Sequence, residues 1–128
     1  MTGLDPSLVL LALAAFQLKH LVADFLLQTP WMLANKGRYG HPGGLAHVAI
    51  HLAATLPILL WLGPGVWAIA GLLVLEAVVH YHLDWAKERL TRHFGVGPDR
   101  AGFWTLTGLD QAGHQLTYLA MLALLLPG

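Results

Sequence analysis

Apolar positions run through this 128-residue chain in four long blocks, and turn-forming residues separate them. The first block covers about 7–28 and stops at Thr29-Pro30, because a proline disfavours helical backbone in the residue before it. A polar, turn-rich stretch from Trp31 to Gly44 follows, with Lys36, Gly37, Arg38, Gly40, Pro42 and Gly43. The second block, about 45–62, meets the tight hairpin signal Gly63-Pro64-Gly65, and the third runs over about 66–90. Beyond Gly95, Gly97, Pro98 and Asp99 the fourth covers about 103–126. Each block approaches the roughly 20 residues that cross a bilayer core. Residues 8–16, 69–75 and 116–126 are apolar nearly all round, unlike the one-sided stripe of a water-facing helix. The pattern predicts an all-α fold: a polytopic membrane protein, a four-transmembrane-helix antiparallel bundle that forms a single domain over 1–128.

Composition agrees. The chain is 56% hydrophobic and only 11% charged, with a mean hydropathy of +0.60, whereas soluble domains carry roughly 25% charged residues. Seven basic and seven acidic residues leave no basic surface for nucleic acid. Cysteine is absent, which removes disulfides, thiolate metal sites and cysteine nucleophiles together, so any metal must be held by imidazole and carboxylate. The apolar run from Leu8 to Ala15 lacks the basic residues that precede a signal peptide's core, and the apolar pattern continues through Leu27; a retained first span is expected.

Basic residues set the orientation. Lys36 and Arg38 lie in the first loop, and Lys87, Arg89, Arg92 and Arg100 lie at or in the third, while the hairpin has none. By the positive-inside rule the first and third loops face the cytoplasm and both termini face outward, which predicts a multi-pass protein of the cell (inner) membrane. Trp31, Trp85 and Trp104 would mark the cytoplasmic boundary, and Trp61 and Trp67 the outer one.

Candidate chemistry lies inside the blocks. His20 and Asp24, His47 and His51, His80 and Asp84, and Asp110 and His114 are pairs at a spacing of four, which places each pair on one helical face. Antiparallel threading brings all four pairs to the same, cytoplasmic half. One such pair alone reads as interhelical hydrogen-bonding glue; four at one depth read as a single constellation. Facing helices that project carboxylates and imidazoles inward build di-metal cores, and a spacing of four also presents two ligands to one ion. The expected cofactor is therefore a divalent metal ion, zinc or another first-row transition metal, as one or two ions, with His20, Asp24, His47, His51, His80, Asp84, Asp110 and His114 as ligands. Glu76, one turn deeper than His80, and Asp84 are the expected catalytic carboxylates, one of the acids being left over as general base. Lys36, Arg38 and Lys87 would bind an anionic substrate head. Gln17, Gln28, Thr107 and Thr117 extend the polar faces inward. Lys19 would snorkel or pair with an acid, His82 would be interfacial, and His41 and His93 would be solvated loop residues.

His20, Asp24, Phe25 and Gln28, followed by Trp31 and Met32, Asn35 and Lys36, His47 and His51, and then His80, Asp84, Trp85 and Lys87, resemble the bacterial membrane family catalogued as domain of unknown function 3307. That resemblance spans most of the chain and implies no activity. A looser likeness in type, to small helical membrane proteins labelled metal-dependent hydrolases, favours hydrolysis.

The function expected is a metal-dependent hydrolase acting on an amphiphilic, lipid-like substrate near the cytoplasmic leaflet, with the lipid bilayer and a homodimer as partners. The alternatives are a divalent-metal carrier or sensor, a haem-binding protein, and a purely structural membrane subunit.

Overall fold

The computed structural model describes residues 4–127, and these form helices and turns with no strand among them. Five helices occur: α1 (Pro6–Leu21), α2 (Pro30–Asn35), α3 (Pro42–Leu62), α4 (Val66–Phe94) and α5 (Ala101–Leu125). A π-helical turn, Val22–Leu26, prolongs α1, closed by the bond from Leu27 N–H to the Val22 carbonyl at 3.0 Å. Three helices begin on the same device, a capping side chain followed by proline at the first helical position. Asp5 accepts from the Ser7 N–H, Thr29 from the Met32 N–H and His41 Nδ1 from the Gly43 N–H. Gly63 and Gly95 end α3 and α4 with φ of 74° and 58°, the left-handed conformation in which a side chain is strained.

Two boundaries differ from the sequence pattern. Thr29-Pro30 stops the first helix, as expected, but it also starts α2, so the first loop is partly helical. The third helix continues to Phe94, which places His93 in its last turn.

Among the described residues three segments are long and apolar enough to cross a membrane: Pro6–Leu26, Pro42–Leu62 and Val66–Phe94. Helix α5 is also long, at 25 residues, but Asp110, Gln111, His114 and Gln115 lower the hydropathy of its middle. Helix α3 packs on α1, α2 and α4, while α5 packs on α4 and returns to α1, which closes a ring. One end of the ring is a packed apolar core of Ala12, Phe16, Ile58, Leu59, Leu72, Tyr118, Met121 and Leu122. Outside it, Leu10, Phe25, Leu60, Val74, Leu116 and Leu124 are exposed while histidines and aspartates are buried, an inversion of the soluble pattern.

The short α2 is held by the absence of side chains at Gly43 and Gly44. A Cβ on Gly43 would meet Asn35 Cβ at 2.9 Å and the Trp31 carbonyl at 3.2 Å, while one on Gly71 would meet nothing within 4 Å. Gly43→Ala should therefore lower stability by about 1–3 kcal/mol through overpacking, whereas Gly71→Ala should be neutral or slightly stabilising. Unfolding of both variants in the same detergent checks this; equal effects would remove α2 docking as the reason for Gly43.

Candidate functional site

Below the apolar core the ring fills with ionisable side chains from α1, the π turn, α3, α4 and α5. His20, His47, His51, His80, Asp84, Asp110 and His114 are buried, and Asp24 is partly so. The four predicted pairs thus meet. Asp24 sits in the π turn, whose wider winding carries its carboxylate to three imidazoles: Oδ2 lies 2.9 Å from His20 Nε2, and Oδ1 lies 2.8 Å from His51 Nε2 and 3.2 Å from His47 Nε2. Asp84 gathers the others. Its Oδ2 is 3.1 Å from His80 Nε2 and 3.3 Å from His47 Nε2, and its Oδ1 is 3.1 Å from His114 Nε2. Asp110 Oδ1 approaches His114 Nε2 at 3.2 Å.

These contacts are close without all being hydrogen bonds. His47 Nε2, His80 Nε2, Asp84 Oδ2 and Asp110 Oδ1 are buried and make no hydrogen bond among the described residues. Unpaired polar atoms are costly in an interior, and here four converge on one region. Their spacing has a physical reading. A tetrahedral ion with bonds of roughly 2.0–2.1 Å keeps its ligands about 3.3–3.4 Å apart, close to the nitrogen–oxygen distances around Asp84. Two sets of side chains place ligand atoms within 4.8 Å of one another: Asp24, His47, His51 and His80, and His80, Asp84 and His114. The residues present fit a divalent cation by donor chemistry and by spacing.

Partners that the sequence did not reveal surround this cluster. Tyr118 OH lies 2.7 Å from His20 Nδ1, and Gln111 Oε1 lies 3.2 Å from His20 Nε2. Gln111 Nε2 donates in turn to Asp110 Oδ2 at 3.3 Å. Lys19, expected to snorkel or pair with an acid, is buried and pairs with Glu76, and its Nζ also lies 3.1 Å from His51 Nδ1. Glu76 therefore faces Lys19 at the cluster's floor and belongs to neither ligand set. Tyr118 and Gln111 were missed because nothing in helical spacing separates an inward tyrosine or glutamine from a packing residue.

An open cleft of about 300 Å³ leads to the cluster on the side away from the apolar core. Asp24 and Asp110 form its inner wall, Lys36, Lys87, Gln28, Thr107 and Gln111 add polar groups, and Phe25, Leu33, Phe103 and Trp104 make it amphiphilic. Lys36 Nζ stands 3.9 Å from Asp84 Oδ2, and Lys87 is engaged by Glu88 at 3.1 Å. Arg38 is not brought there; it is exposed and donates to Asn35 Oδ1 at 3.3 Å. Gln17 is also exposed, because the buried face of α1 runs through Phe16, Lys19 and His20. Thr117 turns its hydroxyl to the Gly113 carbonyl, and Gln28 bonds the Asp24 carbonyl. His82 pairs with Tyr39 OH at 2.9 Å, an exposed packing contact, while His41 caps α3 rather than standing free in a loop.

Removing one member of a buried ion pair strands the other, so Lys19→Met should cost about 3–5 kcal/mol. Adding Glu76→Met to it should recover more than half of that loss. Denaturant unfolding of the single and double variants in micelles measures both, and a double variant as unstable as the single one would show that pairing is not what Lys19 contributes.

Comparison with known proteins adds a family without an activity. No curated protein and no solved structure matches the chain. The family described as "Protein of unknown function (DUF3307)" matches over residues 12–126, from the first apolar helix to the end of the last one, and takes in every residue of the cluster and the cleft. The chain belongs to that family.

Proposed function

We propose that this chain is a membrane-embedded metal centre that hydrolyses an amphiphilic substrate with an anionic, phosphate-type head. The observation that carries the reading is the convergence of three buried atoms that make no hydrogen bond, His47 Nε2 and His80 Nε2 at 3.3 and 3.1 Å from Asp84 Oδ2, the separations that ligands of a cation keep, near an open cleft.

The membrane setting is four antiparallel spans in the inner membrane, with α5 as the fourth. In support, Phe16 stacks on Tyr118 at 5.0 Å and shares the core with Leu59, whereas His20 meets His51 and His114; partners rise in number along one helix as they fall along the other. Lys36, Lys87, Arg92 and Arg100 all lie toward the cleft end of their elements, so the positive-inside rule turns the cleft to the cytoplasm. Helix α4 would measure about 43 Å, longer than the roughly 30 Å hydrocarbon layer, which lets its last turns emerge with their charges.

Mixed nitrogen and oxygen donors suit zinc or another first-row ion. When bound, such an ion lowers the pKa of water and polarises the scissile group. The protein's own groups do the rest. Lys36 and Lys87 hold the anionic head as point charges, and Phe25, Phe103 and Trp104 receive the apolar part beside it. Asp110, whose Oδ1 is unpaired at the inner wall of the cleft, takes the proton from the attacking water. Glu76, committed to Lys19, gives up the general-base role expected for it. A carrier would need a second access route, but beyond Tyr118 the described residues are a closed apolar core with Thr55 beside it.

Purified protein should contain one or two divalent ions per chain by elemental analysis and should turn over a lipid phosphate. Asp84→Ala should remove most of the metal and at least about a hundredfold of the activity; full turnover after chelation, or protein that neither carries nor takes up metal, would overturn the reading. Lys87→Ala should raise KM about tenfold, near 1.4 kcal/mol, with metal content unchanged. A KM that does not move would take Lys87 out of head-group binding.

A further inference from the structure

We infer that the five clustered imidazoles divide by tautomer: His47, His80 and His114 bind two ions bridged by the Asp84 carboxylate, while His20 and His51 are positioning residues that keep a proton on Nε2 and ligate nothing. The inference rests on the metal centre proposed above and says which residues build it.

Proximity alone admits His51 as a ligand, since it offers a ligand atom within 4.8 Å of those of Asp24, His47 and His80. Its outer edge argues otherwise. Lys19 Nζ sits 3.1 Å from His51 Nδ1 and is also paired with Glu76. Whichever partner of that pair holds the shared proton, that proton lies between Nζ and Glu76, and Nζ keeps further N–H groups, so what it offers His51 is an N–H. His51 Nδ1 is then an acceptor, the ring proton sits on Nε2, and Nε2 donates to Asp24 Oδ1 at 2.8 Å. A nitrogen that bears the proton has no lone pair for an ion.

His20 follows by a separate route. Its Nε2 faces Gln111 Oε1 at 3.2 Å and Asp24 Oδ2 at 2.9 Å, and the Gln111 amide is oriented by donating Nε2–H to Asp110. Two oxygen acceptors, one of them a fixed amide, place the proton on His20 Nε2; Tyr118 OH then donates to Nδ1 at 2.7 Å. The hydrogen bonds run one way, Tyr118 to His20 to Gln111 to Asp110, and hold the carboxylate at the cleft.

His47, His80 and His114 differ on this same edge: among the described residues nothing donates to their Nδ1 atoms, which leaves those atoms free to carry the proton and Nε2 to ligate, His114 Nε2 exchanging its 3.1 Å hydrogen bond to Asp84 Oδ1 for an ion. His80, Asp84 and His114 offer ligand atoms within 4.8 Å of one another, and the two oxygens of Asp84 divide their neighbours, Oδ2 near His47 and His80 and Oδ1 near His114. That is the disposition of a carboxylate shared by two ions, which such sites hold roughly 3.5–4 Å apart.

The test is metal binding by the full-length protein in micelles, titrated with Zn²⁺ and with Co²⁺, whose visible spectrum reports its ligands. Wild type should bind two ions. His20→Gln and His51→Gln should keep two with affinity lowered about 10–100-fold, the effect of losing a group that orients ligands. His47→Gln, His80→Gln and His114→Gln should each drop to one ion, and Asp84→Asn should weaken both. Should any variant not fold, ¹⁵N NMR of wild-type imidazoles in the zinc-loaded protein gives the same assignment without substitution: three rings metallated through Nε2, with His20 and His51 protonated there. A His51→Gln or His20→Gln protein that loses an ion as His80→Gln does, or a wild type that binds a single ion, would overturn the division while leaving a metal centre in place. A wild type that binds no metal would overturn the division and the metal centre together.

Discussion

Two aspartates on otherwise apolar segments constrain everything else in this molecule. Asp84 is buried and Asp24 largely so, at the inner wall of the cleft, and a lone carboxylate in an interior costs several kcal/mol. The protein answers by surrounding each with imidazole nitrogens, three on Asp24 and three on Asp84, with His47 shared between them. That answer is incomplete as a set of hydrogen bonds, because Asp84 Oδ2 and the nitrogens nearest to it remain unpaired among the described residues. Formally, Asp24, Glu76, Asp84 and Asp110 face Lys19 and Lys36, which leaves a negative interior that bound cations would offset. Spacing, missing hydrogen bonds and charge all point the same way from separate observations.

The remaining fold divides its labour around that requirement. At one end Phe16, Leu59, Tyr118, Met121 and their neighbours supply ordinary close packing. At the other, the local devices are irregular: a π turn that aims Asp24, and a pair of glycines that lets α2 approach α3 and brings Lys36 to within 3.9 Å of Asp84. Tyr118 joins the halves, since its ring stacks in the core and its hydroxyl holds His20. Stability and site geometry are thus coupled through one side chain.

How much of this was legible in the sequence follows from what periodicity encodes. A spacing of four fixes the face on which His20 and Asp24 lie, and hydropathy fixes depth, so the eight ligand candidates were readable and the structure does bring them together. Periodicity does not encode which neighbour a long side chain chooses. Glu76 was expected at the chemistry and instead meets Lys19; Arg38 was expected at the cleft and instead turns to Asn35. Nor does it encode a change of winding, which is why the π turn left no trace, and Thr29-Pro30 carried two meanings of which only the helix stop was read. Gln17 shows the limit most simply: three residues from His20 is near its face, yet the helix is rotated so that Lys19 is buried and Gln17 is not.

The asymmetry between the two ends bears on what a metal there would be for. A site that passes ions needs exits on both sides, and the stacked Phe16 and Tyr118 with the Lys19–Glu76 pair close one of them. The open side is neither a water channel nor a dry pocket: Lys36 and Lys87 line the same cleft as Phe25 and Trp104. A free inorganic anion would gain nothing from the aromatic wall, and a purely apolar ligand would cover the two lysines without making any polar contact to them. A molecule with an anionic head and an apolar body satisfies both walls at once and meets them at the depth where a membrane presents such molecules. On the proposed reading the cleft would select the substrate class and the aspartates would supply the reason for a metal, two requirements that meet at the 24–28 turn, where Asp24 faces inward and Phe25 is exposed.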